Sequence, residues 1–505
     1  MFRLTTSKLA AFGEAIALES PGGSLSYLML ALRAEAVARS LRKSGVVPGH
    51  AVALVSSGRG FDEAVALCGI LAGGCVAIPL DATAPPQRIA SILRSRGCRA
   101  LVHDEAAAPL AASIEEALRA EISEGILARV VLDGQGSLST PASPSSTDPS
   151  MGLRSARHEM ALRDVSVACI LHTSGSTGAP KPVPITWEGL DAFTGFWSEK
   201  IGLSPSDRVL RVAELVFDLA WFDHLATFRA GATLAIMTRR ELAAGRALRD
   251  AIKTLRPTVI YGVPSLFMKI SAALSPGETF EGSLRTVMFA GEVFPPKELA
   301  VFAERVPSAD LYNLYGPTET NVCTYHHVSR KDLDGIRETP IGVACPYSPC
   351  ELVAEDGAII EGAGVGELYV SGVTTLGGGP FPTRDRVERG EDGLFYFRGR
   401  IDRMVKIRGY RVEPSEIEAA LHKHPAVEQS AVIPFDDPRL GKVLHAFVAK
   451  KKDVPAGTTT DRDLRMYLAT VLPPYMVPEK VFLLDDLPRT TTGKIDYQAL
   501  RGPSA

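Results

Sequence analysis

The run Leu171-His172-Thr173-Ser174-Gly175-Ser176-Thr177-Gly178-Ala179-Pro180-Lys181-Pro182-Val183 constrains this chain more than any other stretch. The apolar segment before it, Val165 to Leu171, has the length and content of a buried strand. The residues after Leu171 cannot form helix interior. Gly175 and Gly178 open backbone conformations closed to other residues. The hydroxyls of Thr173, Ser174, Ser176 and Thr177, with exposed N–H groups, are suited to phosphate oxygens, and Lys181 adds a point charge. On this stretch alone a plain Ser/Gly surface turn stays open. A Walker-type loop does not, because Ala179-Pro180 separates Gly178 from Lys181 and Pro182 takes the place of its Ser or Thr.

A chain of 505 residues exceeds one compact core and should divide into at least two domains. Helix-like spacing over Leu25–Leu41, Phe61–Leu71 and Pro86–Arg94 alternates with strand-like Ala51–Val55, Ala72–Asp81 and Ala100–Val102. Such alternation indicates an α/β sheet with crossover connections. Val209–Val216 also reads as a strand, as do the stretches ending at Gly262 and Ala290. The Ser/Pro/Thr-rich stretch from Gly136 to Ser150 reads as a surface loop within one domain. A net charge of -3 gives no basic field for nucleic acid or an anionic membrane. No apolar run reaches the ~20 residues that span a bilayer, and Met1-Phe2-Arg3-Leu4 opens no signal core. Seven cysteines with no C-x-x-C pair suggest neither disulfides nor zinc. The expectation is a cytoplasmic protein.

Further stretches carry chemistry-bearing residues. In Phe217-Asp218-Leu219-Ala220-Trp221-Phe222-Asp223-His224, Asp218 lies between apolar neighbours. It needs a cation or hydrogen bonds, and taken alone it reads best as a helix N-cap. Thr286 to Glu292 is a strand running into Gly291, a position where a flat ligand can approach the backbone. Tyr312-Asn313-Leu314-Tyr315-Gly316-Pro317-Thr318-Glu319-Thr320 combines aromatic, amide, hydroxyl and carboxylate in one short loop. A Gly-Pro turn explains its shape but not the whole set. Thr383-Arg384-Asp385, Phe397-Arg398-Gly399-Arg400-Ile401-Asp402, Lys406 to Glu413 and Pro488 to Asp496, with Lys494, complete the series.

In this order, and with the phosphate-type loop first, these motifs resemble those of the adenylate-forming enzymes: acyl-CoA synthetases, luciferases and peptide-synthetase adenylation domains. Leu71 to Arg88 resembles an early packing signature of the same superfamily. The resemblance covers nearly the whole chain. It implies a large N-terminal domain, residues 1–401, of α/β subdomains with a distorted β-barrel. A small mobile α+β C-terminal domain, residues 402–505, would turn about a hinge at Asp402. ATP would be held by Thr173, Ser174, Gly175, Ser176, Thr177, Gly178 and Lys181, by Gly291 and Glu292, and by Asn313, Tyr315 and Gly316. Tyr315 would stack on adenine, Asn313 read its amino group, Thr318 reach the α-phosphate and Glu319 hold Mg²⁺. Asp385 would take the ribose hydroxyls, with Phe397 and Arg400 beside them; Arg384 stands where the family has glycine. Lys494, otherwise read as a solvated lysine, becomes the adenylation lysine. The implied catalysis is positioning and electrostatic stabilisation of attack on the α-phosphate, with no general base.

Carried over by motif, the substrate pocket comprises Asp218, Leu219, Phe222, Tyr261, Met288, Ala290, Leu314, Val322 and Cys323, with Lys494 anchoring the carboxylate. One acidic residue in an apolar lining implies an ammonium group, hence an amino acid. The lining resembles that of standalone enzymes loading β-amino acids in macrolactam polyketide pathways, with 3-aminobutyrate as the model substrate. A small apolar α-amino acid is the alternative. No carrier segment appears within the chain, so the acyl acceptor is expected to be a discrete acyl or peptidyl carrier protein, with CoA as its rival. A catalytically silent nucleotide-binding homologue is the reading from a different class.

Overall fold

The computed structural model describes the chain except residues 57–59, 120–127, 133–137, 140–165, 176–179, 334–337, 438–440, 452–458, 491–494 and 502–505. The chain divides into two compact units. The first comprises Met1–Ala82, Leu93–Leu171 and Val183–Ile401; the second comprises Thr83–Ile92, His172–Pro182 and Asp402–Ala505.

Two mixed sheets dominate the first unit. One orders seven strands as Leu138–Ser139, Ala128–Leu132, Ala100–Asp104, Ala51–Val55, Val76–Leu80, Val167–Thr173 and Lys181–Thr186. The strand-like stretches at 51–55, 72–81, 100–102 and 165–171 therefore lie side by side. Their near-continuous apolar content suits parallel strands covered on both faces. The other sheet has nine strands. Its parallel centre runs Asp310–Tyr315, Thr286–Ala290, Val259–Gly262, Arg208–Arg211, Thr233–Ile236 and Ile16–Ser20, and the edges are antiparallel. The barrel region is represented by an antiparallel meander of Cys350–Val353, Gly364–Val370, Phe381–Arg389 and Phe395–Arg400.

One strand expectation is corrected. Only residues 209–211 of the 209–216 stretch pair in the sheet, in a strand that begins at Arg208. The fully buried guanidinium of Arg211 meets Glu63 at 2.5 Å, and a turn closes by Phe217 N–H to the Glu214 carbonyl. A buried ion pair thus sits at the end of this strand. Of the 136–150 stretch, only Leu138–Ser139 lies among the described residues around it, and it pairs with Val131 and Leu132.

In the second unit, Arg408 and Gly409 (φ 51° and 83°) make the two-residue turn between strands Val405–Ile407 and Tyr410–Val412. Helices Pro414–His422 and Asp461–Val471 accompany a three-stranded sheet of Val427–Asp437, Gly441–Lys450 and Lys480–Leu484. Among the described residues no helix is long and apolar enough to cross a membrane.

In the first unit, helix Tyr27–Lys43, capped by Ser26, lies on helix Phe61–Ala72. Gly69 permits that approach: a Cβ there would sit 2.5 Å from the Val37 Cβ and 2.8 Å from the Ala34 carbonyl oxygen. Gly69→Ala should therefore overpack the crossing and cost about 1–3 kcal/mol, measured by urea denaturation. A change below about 0.5 kcal/mol would mean that the helices separate freely.

Candidate active site

In an open α/β sheet, ligands gather at the carboxyl ends of the parallel strands. Three of those ends carry pocket residues in register: Tyr261 pairs with Met288, and Ala290 with Leu314. Phe222 reaches them from helix Leu219–Ala230, its ring 5.8 Å from that of Tyr261 and nearly perpendicular. Phe222, Tyr261, Met288, Ala290, Leu314 and Val322 are buried in one apolar cluster, and half-buried Leu219 packs against it. Cys323 does not join them. It is buried with Ile341, Leu352 and Val387, and its Sγ lies 3.5 Å from the Tyr315 carbonyl. Val322 enters the pocket cluster; its neighbour enters the core of the meander.

Asp218 precedes helix Leu219–Ala230, yet it is a poor cap. A good cap has extended backbone and bonds the second or third helical N–H. Asp218 has φ -61° and ψ -30°, and Oδ1 accepts from its immediate neighbour Leu219 N–H at 3.0 Å. Burial pushes the Tyr261 phenol pKa up, and the charges of Asp218 and then Asp223 push the same way. Sequence alone does not single out the fully buried Asp223, because it reads there as one polar residue of an amphipathic helix. His224 is structural: its Nδ1 lies 2.7 Å from the Ala220 carbonyl.

The loop after strand Asp310–Tyr315 is built by backbone contacts. At Gly316 a Cβ would fall 1.7 Å from the Asn321 carbonyl oxygen, so no other residue fits. Cys323 N–H closes the loop onto the Tyr315 carbonyl at 2.8 Å. Within it, Glu319 is buried and Thr318 half-buried. Asn313 Nδ2 donates to the Pro340 carbonyl at 2.7 Å, leaving Oδ1 as the acceptor suited to an adenine amino group. Asp385 is held twice. Arg400 Nη1 donates to its Oδ1 at 2.6 Å and to the Thr383 carbonyl at 2.9 Å, while the Tyr315 hydroxyl donates to Oδ2. Phe397 lies beside Tyr315, ring centres 6.3 Å apart. Gly291 has φ 91°, and the Glu292 carboxylate accepts from Ser265 N–H at 3.0 Å, at the start of helix Pro264–Ala273.

In the second unit, Ser174 Oγ donates to the Arg411 carbonyl at 2.9 Å. Gly175 N–H donates at 3.2 Å to Glu416, whose fully buried carboxylate meets Arg88 at 2.6 Å. A carboxylate thus accepts from an N–H expected to face phosphate. Sequence alone singles out neither Arg88 nor Glu416; Glu416 there looks like an ordinary acidic residue in a first helical turn. Thr173 is buried and Lys181 exposed. Asp402 Oδ1 accepts from Met404 N–H at 3.2 Å. Ser176, Thr177, Gly178 and Lys494 lie outside the described residues.

Among the described residues no three His, Cys, Asp or Glu side chains gather as a metal site. A single carboxylate such as Glu319 fits Mg²⁺, which keeps waters and takes phosphate oxygens for most of its shell.

Arg384, at the family's glycine position, itself adopts the left-handed conformation, φ 61°. Its N–H donates to Glu367 Oε1 at 3.0 Å, and its exposed guanidinium lies 3.7 Å from the same carboxylate. The substitution thus keeps a glycine-like backbone at this position. Arg384→Gly should exceed Arg384→Ala in stability by about 1 kcal/mol in urea denaturation, since both lose the ion pair and only Ala retains the strain. Equal stabilities would show that the left-handed position carries no cost.

Residues 6–378 match the AMP-binding enzyme family, and residues 416–494 the AMP-binding enzyme C-terminal domain. An L-proline--[L-prolyl-carrier protein] ligase of Streptomyces coelicolor is 34% identical over 94% of this chain and 91% of that protein. Another, of Pseudomonas fluorescens, is 31% identical over 97% of each. The solved structure of amide bond synthetase McbA from Marinactinospora thermotolerans has a TM-score of 0.83 at 23% identity, covering 98% of each chain, a likeness of fold.

Proposed function

The chain belongs to the AMP-binding enzyme family and is an amino acid–carrier protein ligase, and on that premise we propose that it activates a small apolar α-amino acid, L-proline first among them. The observation that carries this reading is the pair of L-proline ligases that this chain matches over nearly their whole lengths. The pocket is compatible with it. Phe222 and Met288 are fully buried and Tyr261 nearly so, which suits a compact apolar ring. Asp218 is the proposed counter-charge for a secondary ammonium.

ATP and Mg²⁺ serve the reaction. The substrate carboxylate oxygen attacks the α-phosphorus, the bond to the bridging oxygen breaks, and pyrophosphate leaves with that electron pair. Thr318, Lys181 and Lys494 are the proposed donors to the charge that builds on the phosphate oxygens. Mg²⁺, held by Glu319 when bound, neutralises phosphate charge. Asn313 and Tyr315 orient the adenine, and Asp385 with Arg400 the ribose. The phosphopantetheine thiolate of a discrete carrier protein then attacks the acyl carbon, and AMP departs.

The β-amino acid reading differs by one methylene between ammonium and carboxylate. Apolar walls discriminate about 1–3 kcal/mol per methylene, and half-buried Leu219 beside Asp218 is what favours that second reading. The two L-proline ligases do not support it, nor its macrolactam setting.

ATP–pyrophosphate exchange should rank L-proline at least about tenfold above 3-aminobutyrate, β-phenylalanine, alanine and valine. A preference for 3-aminobutyrate would restore the β-amino acid reading. Mass spectrometry should then show the aminoacyl group on a holo carrier protein and not on CoA. Asp218→Asn should lower exchange by about 100-fold or more, as expected for an ammonium deprived of its buried partner, with ATP affinity nearly unchanged. Parallel loss of both would reduce Asp218 to its helix-end contact.

A further inference from the structure

We propose that Asn321 is the positioning residue that sets the loop bearing Thr318 and Glu319; this rests on reading those two as the phosphate and magnesium groups. Asn321 is one of four described non-glycine residues with positive φ, at 54°. Asparagine tolerates the left-handed region better than most residues do. Its conformation aims its carbonyl at Gly316, the approach that excludes a Cβ there at 1.7 Å. Thr320 Oγ1 donates to that carbonyl at 3.1 Å and to the Pro317 carbonyl at 3.2 Å. Asn321 Oδ1 accepts from Val322 N–H at 2.7 Å, and the Val322 carbonyl accepts from the Tyr347 hydroxyl at 2.9 Å. One left-handed residue thus closes the far side of the turn, and Thr318 and Glu319 ride on the arc between Gly316 and Asn321.

The side chain also carries a cost. Asn321 Nδ2 is buried with no hydrogen-bond partner among the described residues. A buried donor left unsatisfied is unfavourable, so a residue selected for stability alone would not be expected here. Alanine would lose the acceptor and disfavour the left-handed backbone. Its release would turn the carbonyl from Gly316 and displace Thr318 and Glu319 together. The strands below, which hold Met288 and Ala290, would not move.

The test compares full-length Asn321→Ala and Asn321→Gly with the unaltered protein. Readouts are MgCl₂ titration of exchange, binding of ATP with MgCl₂ by calorimetry, KM for the best amino acid of the panel, and Tm. In Asn321→Ala, half-saturating Mg²⁺ and the Kd for ATP with Mg²⁺ should rise about tenfold, while the amino acid KM, reached only through the Val322 N–H, should rise by clearly less. Glycine should restore most of the loss. A normal Mg²⁺ and ATP profile in the alanine variant overturns the proposal. So does equal impairment of both variants with a parallel fall in Tm and amino acid affinity. Glu319→Gln tests the premise. A normal Mg²⁺ dependence in that variant removes the premise and the proposal with it; a shifted one beside normal Asn321→Ala removes the proposal alone.

Discussion

In-register pairing of the parallel strands Val259–Gly262, Thr286–Ala290 and Asp310–Tyr315 is the constraint on which the first unit's site depends. Tyr261 pairs with Met288 and Ala290 with Leu314 on one face of the sheet, and Gly291 and Gly316 follow the ends of their strands. A one-residue slip would exchange every inward side chain for its outward neighbour. The buried apolar cluster on one side and Phe289 and Val287 in the core on the other make that slip costly. On the proposed reading, substrate selectivity and nucleotide contacts would both rest on this one register.

Where polar chemistry is expected, the protein already supplies partners of its own. Asp385 is engaged by Arg400 and the Tyr315 hydroxyl. Gly175 N–H is met by Glu416, itself neutralised by Arg88. A ribose or a phosphate would exchange for contacts of the same kind, not enter bare groups. The net gain per contact is then smaller than its strength in isolation, and geometry carries more of the selectivity.

How much of this is legible in the sequence varies with the range of the interaction involved. The strands at 51–55 and 286–290 and the helix at 61–72 follow from apolar pattern, because local burial sets them. The Gly316 loop is legible as a turn with chemical side chains, but its closure is less so: Asn321 permits a left-handed backbone without requiring one, and the approach of its carbonyl to Gly316 is a tertiary contact. The strand read over 209–216 ends at Arg211, whose guanidinium meets Glu63, a partner so distant in sequence that periodicity cannot reveal it. Motif alone places Cys323 with the pocket, whereas the fold turns its side chain into the meander core. Arg384 shows the opposite case. The sequence departs from glycine while the backbone does not, because a left-handed conformation is costly for arginine but not forbidden.

The substrate is the least legible feature for a related reason. A carboxylate that meets an ammonium is a discrete signal, worth several kcal/mol when its partner is removed. Apolar walls are graded, and each methylene changes affinity by only about 1–3 kcal/mol. Phe222, Met288 and Leu314 are buried apolar side chains of one cluster, so as walls they would discriminate only by degree. On the proposed reading Asp218 marks the substrate as an amino acid, whereas graded apolar walls do not fix its skeleton.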